Sequence, residues 1–281
     1  MDDAGPKEIG LEDFHEDILG KAMRGLGIGK REMASRLKVE KSDIDDVLSG
    51  ACDEILIAGM ADELGLCKSK LLVSARKEWS PSAIQLFGLK QFNLPFGSME
   101  VNVFLAWDQE AGKSWIFDTG PDATPILDFL KKENLSVDAI FLTHTHSDHI
   151  ACLEKLKQKT ENPPVFVHKL EPIAGVGSIE EGFERQMGCL SLKSLHTHGH
   201  SVGGTTYLFN GLDEAVAVVG DSLFAGSMGG GMVSYRNAIT NNRKKLMTLP
   251  ERTVVCPGHG PMTTIVEEKA HNPFFPEFRV S

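Results

Sequence analysis

The sequence predicts an α/β fold preceded by a small all-α segment, and three observations carry that expectation. Short apolar or β-branched runs recur in the later part of the chain, among them Ala139-Ile140-Phe141-Leu142, Val216-Ala217-Val218-Val219 and Thr253-Val254-Val255, and each reads as a buried strand. Stretches with helical spacing alternate with these runs. Residues 1–80, by contrast, lack β-branched runs and repeat their apolar positions at a helical period.

Within residues 1–80, Ile18, Ala22 and Leu26 fall at i, i+4 and i+8; Met33, Ala34 and Leu37 keep the same period, as do Ile44, Val47 and Leu48. Gly50 and Gly65 read as helix stops, giving four or five short helices. The order Glu32 to Leu37, then Ser42 to Gly50, resembles a helix-turn-helix of the phage-repressor type. Charge opposes DNA reading: residues 1–80 hold 17 Asp/Glu and 12 Lys/Arg, and Asp43, Asp45 and Asp46 would face phosphates. A structural or oligomerisation role, including homo-oligomer formation through these helices, fits better than nucleic-acid binding.

Pro81 ends the last helix and marks a linker over residues 78–82. The second domain runs over residues 83–281. Strands are expected near 84–93, 99–107, 113–118, 138–142, 164–167, 204–210, 215–220 and 253–256. Helices are expected at 123–133, 149–160, 179–188 and 235–247.

The net charge of −10 does not favour nucleic acid or an anionic membrane, and the 41% hydrophobic content suffices for a substantial core. No run approaches the ~20 apolar residues of a spanning helix. The acidic start, Met1 to Pro6, has no apolar signal-peptide region. Cys52, Cys67, Cys152, Cys189 and Cys256 form no C-x-x-C pair and read as reduced thiols, so a cytoplasmic location is expected. Cys256 is expected in the core.

The chemistry concentrates in Thr143-His144-Thr145-His146-Ser147-Asp148-His149, which places three of the chain's ten histidines and a carboxylate in six residues. Imidazole and carboxylate suit zinc, iron or manganese. The segment follows a strand, where open α/β sheets place their sites. His144 and His146, two apart, can point the same way in an extended loop. Asp148 and His149 would diverge from them toward a second metal. Three later segments share one grammar of glycine followed by a ligand type: Gly199-His200, Gly220-Asp221 and Gly258-His259.

This series resembles the metallo-β-lactamase-fold hydrolase superfamily, and within it the glyoxalase II-like (hydroxyacylglutathione hydrolase) branch. Gly220 to Ser227, Pro257 to Thr264 and the tail Glu267 to Phe274 carry the branch likeness. The resemblance covers about residues 83–281 and implies an αββα sandwich. It implies two divalent metal ions, zinc first and iron or manganese as alternatives. His144, His146 and His200 would hold one ion; Asp148, His149 and His259 would hold the other; Asp221 would bridge them. Asp118 would orient metal-bound imidazoles. His196 and His198, extra to the family's pattern, would line the pocket. His168 reads as a structural strand-end residue, and His15 and His271 as surface or packing residues.

The implied reaction is attack of a metal-activated hydroxide on a thioester such as a hydroxyacylglutathione, with Asp148 and Asp221 at the reacting centre. Thiolate is a good leaving group, and no G-x-S-x-G elbow offers a serine nucleophile. A lactonase or other ester hydrolase shares the fold, as does a mononuclear-iron persulfide dioxygenase. The dioxygenase is disfavoured because Gly229-Gly230-Gly231 stands where that family has Gly-Arg-Thr-Asp-Phe. A metabolite-sensing transcription regulator is the alternative of another class.

Overall fold

The computed structural model describes residues 9–278, so the acidic start Met1 to Pro6 lies outside the described residues. Five helices come first: α1 (His15–Leu26), α2 (Lys30–Leu37), α3 (Lys41–Val47), α4 (Glu54–Leu64) and α5 (Lys68–Ala75). Gly27 and Gly65 end α1 and α4 in the left-handed conformation, at φ 71° and 68°, which relieves the last turn of each helix. The Asp53 side chain caps α4 by accepting from the amides of Ile55 and Leu56. On α3, Asp45 is paired with Lys30 and Lys41, so its charge is neutralised within the helical region.

Two mixed six-stranded sheets follow. The first contains β1 (Leu89–Phe96), β2 (Met99–Asp108), β3 (Lys113–Phe117), β4 (Ser136–Phe141), β5 (Val165–His168) and β6 (Gly177–Ile179), in that spatial order. The second contains β7 (Glu184–Met187), β8 (Leu190–His196), β9 (Thr205–Asn210), β10 (Val216–Gly220), β11 (Val254–Pro257) and β12 (Thr263–Thr264), ordered from β12 to β7. β3 to β6 run parallel, as do β10 and β11, while the remaining neighbours are antiparallel. Pro95 is tolerated because β1 is an edge strand.

Trp115, Phe117, Phe141, Tyr207, Phe209 and Cys256 fill the space between the sheets. The outer face of the first sheet is covered by α6 (Thr124–Lys132) and α8 (Leu153–Lys159) through Ile126, Leu130, Leu153 and Leu156. The outer face of the second sheet, at Ala217, Val219 and Val255, packs into one continuous core with Ile18, Leu19, Ile57, Met60 and Leu71 of the N-terminal helices. The expected αββα sandwich is therefore present, and the N-terminal helices supply part of its outer layer.

The helix-end contacts are specific. Lys70 on α5 donates to the carbonyls of Lys269, Phe275 and Phe278 at 2.8, 3.1 and 2.9 Å. Trp79 stacks on His271 with ring centroids 4.4 Å apart. His271 belongs to α10 (Ile265–His271), so the linker and the C-terminal helix are joined.

Several expected elements differ. Residues 179–188, expected as a helix, form the end of β6 and then β7, which pairs with β8 through a two-residue turn at Gly188-Cys189. The expected helix 149–160 is two pieces, α7 (Ser147–Ile150) and α8, broken where the Cys152 amide donates to the Gly120 carbonyl at 2.9 Å. The expected helix 235–247 begins as α9 (Tyr235–Asn241) and continues as a π turn over Asn242–Leu246. No helix among the described residues is long and apolar enough to cross a membrane.

Candidate metal centre

The site forms where the ends of β3, β4, β8, β10 and β11 meet. Seven side chains converge in two groups, His144, His146, His200 and Asp221 in one and Asp148, His149 and His259 in the other, with donor atoms in each group within 4.8 Å of one another. In the first group His146 Nδ1 lies 2.9 Å from His144 Nε2 and 3.0 Å from His200 Nε2. In the second, Asp148 Oδ2 lies 3.5 Å from His149 Nε2 and 3.3 Å from His259 Nε2. Asp221 stands between the groups. Its carboxylate is 3.3 Å from His200 Nε2, 3.4 Å from His149 Nε2 and 3.6 Å from His259 Nε2.

The nitrogens facing away from this centre have partners that orient the rings. His149 Nδ1 is 2.8 Å from Asp118 Oδ2, His259 Nδ1 is 2.6 Å from the Glu100 carbonyl, and His200 Nδ1 is 2.9 Å from the Gly230 carbonyl. With those nitrogens protonated, each ring presents a bare lone pair inward. Asp118 itself sits at φ 59°, a backbone conformation rare outside glycine. It is held there by the Thr143 amide at 2.7 Å and the Thr143 hydroxyl at 2.8 Å. Strain of this kind at a site-forming residue requires surroundings that fix it.

Glycine makes the convergence sterically feasible. A Cβ on Gly258 would fall 2.2 Å from Asp221 Oδ1 and 2.7 Å from His149 Cε1. One on Gly220 would meet the Thr143 hydroxyl oxygen at 2.5 Å, and Gly220 also has φ 51°.

The donor set fits divalent cations. Lone pairs of neutral imidazoles 2.9 to 3.0 Å apart repel unless a proton or cation lies between them. Buried His149 Nε2 and Asp221 Oδ1 face each other at 3.4 Å without forming a hydrogen bond. Such orphaned atoms cost about 1–3 kcal/mol each, which coordination would offset. Electrostatics agree. Burial disfavours charge on His149, yet Asp118 and Asp221 outweigh it and push the imidazole up to about 10. Burial likewise opposes charge on His259, but hydrogen bonds to Asp148 and Asp221 raise it to about 11. Burial disfavours ionised Asp221, while His149 and His259 hold its carboxyl well below the usual range. His144 is held well below its ordinary value by burial and then by the neighbouring His149. The centre thus stabilises cationic charge at its middle, where a metal would displace the protons.

His196 and His198 join neither group. They stack in a row with His168, at centroid separations of 4.0 and 4.4 Å. His196 Nε2 is 2.9 Å from the Val202 carbonyl, and Asn241 donates to the His198 carbonyl at 2.7 Å. His15, read as surface or packing, is buried and lies 3.2 Å from the Ala51 carbonyl.

Sequence reasoning missed Glu171. Its carboxylate accepts from the Thr145 amide and hydroxyl at 2.7 and 2.9 Å and from the Gly203 amide at 2.7 Å. It thereby ties the loop of His144 and His146 to the loop of His200. No local pattern announces that role. The main-chain partners Glu100 and Gly230 were equally silent, since a carbonyl carries no residue signature.

Residues 97–259 match the metallo-beta-lactamase superfamily. The chain belongs to that superfamily. Among its relatives is a probable metallo-hydrolase, YqgX, of Bacillus subtilis, 33% identical over 68% of this chain and 99% of the relative. A hydroxyacylglutathione hydrolase of Cereibacter sphaeroides is 32% identical over 56% of this chain and 61% of its own length. The crystal structure of BLEG-1, a B3 metallo-beta-lactamase, superposes with a TM-score of 0.58 at 32% identity, covering 66% of this chain and 98% of that one.

Proposed function

We propose that this superfamily member is a dinuclear metal-dependent hydrolase of thioesters. The observation that carries the reading is Asp221, whose carboxylate lies within 3.3 to 3.6 Å of inward-facing imidazole nitrogens from both groups. Such a carboxylate suits a bridge between two cations. His144, His146 and His200 would hold one, and Asp148, His149 and His259 the other. Zinc fits this mixture of imidazole and carboxylate, as do iron and manganese. A bound pair would supply Lewis acidity and a water acidic enough to ionise near neutral pH.

The chain's own residues fix the geometry. Asp118, the Glu100 carbonyl and the Gly230 carbonyl hold three rings so that their lone pairs converge. Asp148 would bind and orient the attacking oxygen from the His259 side. With all seven side chains holding the two cations, none of them would be left to protonate a departing group. A thiolate leaves without such help, whereas an amide nitrogen needs it. The resemblance to hydroxyacylglutathione hydrolases supports a hydroxyacyl thioester as substrate.

The test is a substrate panel on purified protein loaded separately with zinc, iron or manganese. Thiol release from S-lactoylglutathione or another lactoyl thioester is expected. Cleavage of a β-lactam or a lactone with no thioester turnover would replace this reading with a lactamase or lactonase, which the BLEG-1 likeness favours next.

A further inference from the structure

Each of the two groups of side chains draws on both sheets, and each has its own tie across the gap. His144 and His146 follow β4 of the first sheet, while His200 lies between β8 and β9 of the second. Glu171, just past β5, joins them. Its amide donates to the His168 carbonyl at 2.9 Å. One carboxylate oxygen accepts from the Thr145 amide and hydroxyl, and the other accepts from the Gly203 amide, all at 2.7 to 2.9 Å. Glycine at 203 permits this approach, since a Cβ there would stand 3.0 Å from Glu171 Cγ. The strands beneath do not depend on Glu171, because the Thr205 amide donates to the Thr143 carbonyl at 2.9 Å.

Asn102 makes the corresponding tie for the other group. It is buried in β2 of the first sheet, and its side-chain amide donates to the carbonyls of Pro257 and Gly260 at 2.9 and 2.7 Å, on either side of His259. Asn93 Nδ2 donates to Asn102 Oδ1 at 3.0 Å, which fixes the orientation of that amide. The main-chain amide of Asn102 donates to the Gly258 carbonyl at 2.7 Å. His149 is held separately, its carbonyl by the Thr119 amide at 2.7 Å and its ring by Asp118. Among the described residues, Glu171 makes no hydrogen bond to residues 147–149 or 257–260, and Asn102 makes none to residues 143–146 or 199–203.

We propose that Glu171 and Asn102 are two independent positioning residues, each setting the cation affinity of one group alone. Glu171 serves the ion that His144, His146 and His200 would hold, and Asn102 the ion that Asp148, His149 and His259 would hold. The proposal rests on the two-cation part of the reading above and not on the identity of the substrate. A loop freed of its hydrogen bonds must be ordered again when an ion binds, and that ordering costs affinity. Glu171→Gln replaces one acceptor oxygen with an NH2 group, which faces an amide donor of Thr145 or Gly203. Asn102→Ala leaves the Pro257 and Gly260 carbonyls without their donor.

The experiment follows zinc uptake by the full chain. Chelator competition gives the affinity of each ion, and the ring-nitrogen NMR resonances of the histidines show which group fills. In Glu171→Gln the ion reported by His146 and His200 should weaken about 10- to 100-fold, while the other ion changes by less than about threefold. Asn102→Ala should do the reverse. Glu171→Ala should match Glu171→Gln, and Asn102→Ser is the milder variant if Asn102→Ala does not fold. General destabilisation would weaken both ions in either variant. Equal weakening of the two ions, or no weakening, therefore overturns the proposal. A parent that binds a single ion refutes the two-cation reading. The proposal then requires that only the tie of the occupied group weakens that ion, and weakening through the other tie overturns it. A parent that takes up no zinc overturns both.

Discussion

Asp118 Oδ2 lies 2.8 Å from His149 Nδ1, and the same carboxylate accepts the amide and hydroxyl of Thr143, the residue before His144. One buried acid thus orients an imidazole of the second group and anchors the loop that carries the first. Removing it should loosen both.

Asp118→Ala is expected to lower metal affinity about 10- to 100-fold, the usual cost of losing a carboxylate behind a ligating histidine. Alanine at φ 59° also adds roughly 1 kcal/mol of backbone strain. Asp118→Asn tolerates that conformation better and should fold more stably than the alanine variant. Chelator competition checks the first expectation and denaturant titration the second.

Gly258→Ala should fold but bind metal poorly. The added methyl would fall 2.2 Å from Asp221 Oδ1, so that carboxylate must move. Circular dichroism close to that of the parent, with metal content reduced by at least one ion per chain, is the expected pair of results.

Glu268 gives a pH dependence remote from the candidate metal centre. Burial raises its carboxyl from 4.5 to about 7, against the opposing hydrogen bonds from Asn272, the Gly226 amide and Thr263. Folding therefore favours the protonated acid: its contribution is full below pH 4.5 and is lost as pH rises through about 7. Glu268→Gln removes that loss. Its stability relative to the parent should improve by on the order of 1–3 kcal/mol between pH 5 and 8, measured by urea unfolding.

The helices and the sandwich should unfold in a single transition, because one apolar core spans both. Lys70→Met leaves the carbonyls of Lys269, Phe275 and Phe278 without their ammonium donor. A destabilisation of about 3 kcal/mol is expected, without a second transition. Two well-separated transitions in the parent would show that the helical region is an independent domain.

The sequence exposed most of the centre because four of its donors crowd into His144 to His149 and the other three each follow a glycine, and the close approaches at Gly220 and Gly258 explain two of those glycines. The β7–β8 hairpin escaped notice for an equally physical reason. Glu184–Met187 is a mostly exposed edge strand, so no buried stripe marks it. Its partner did carry a signal, since Leu190, Leu192 and Ser194 alternate inward with exposed Ser191 and Lys193, and Gly188-Cys189 is a two-residue hairpin turn. The contact of Glu12 with Gly260 joins residues far apart in sequence, and no local pattern encodes it.

The most direct measurement is the metal stoichiometry of the purified chain and of Asp221→Ala, by native mass spectrometry with elemental analysis. Two divalent ions per chain in the parent, and one or none in the variant, are predicted. A parent that takes up no more than one ion under saturating metal, or a variant that still holds two, would contradict the shared centre on which the hydrolase reading depends.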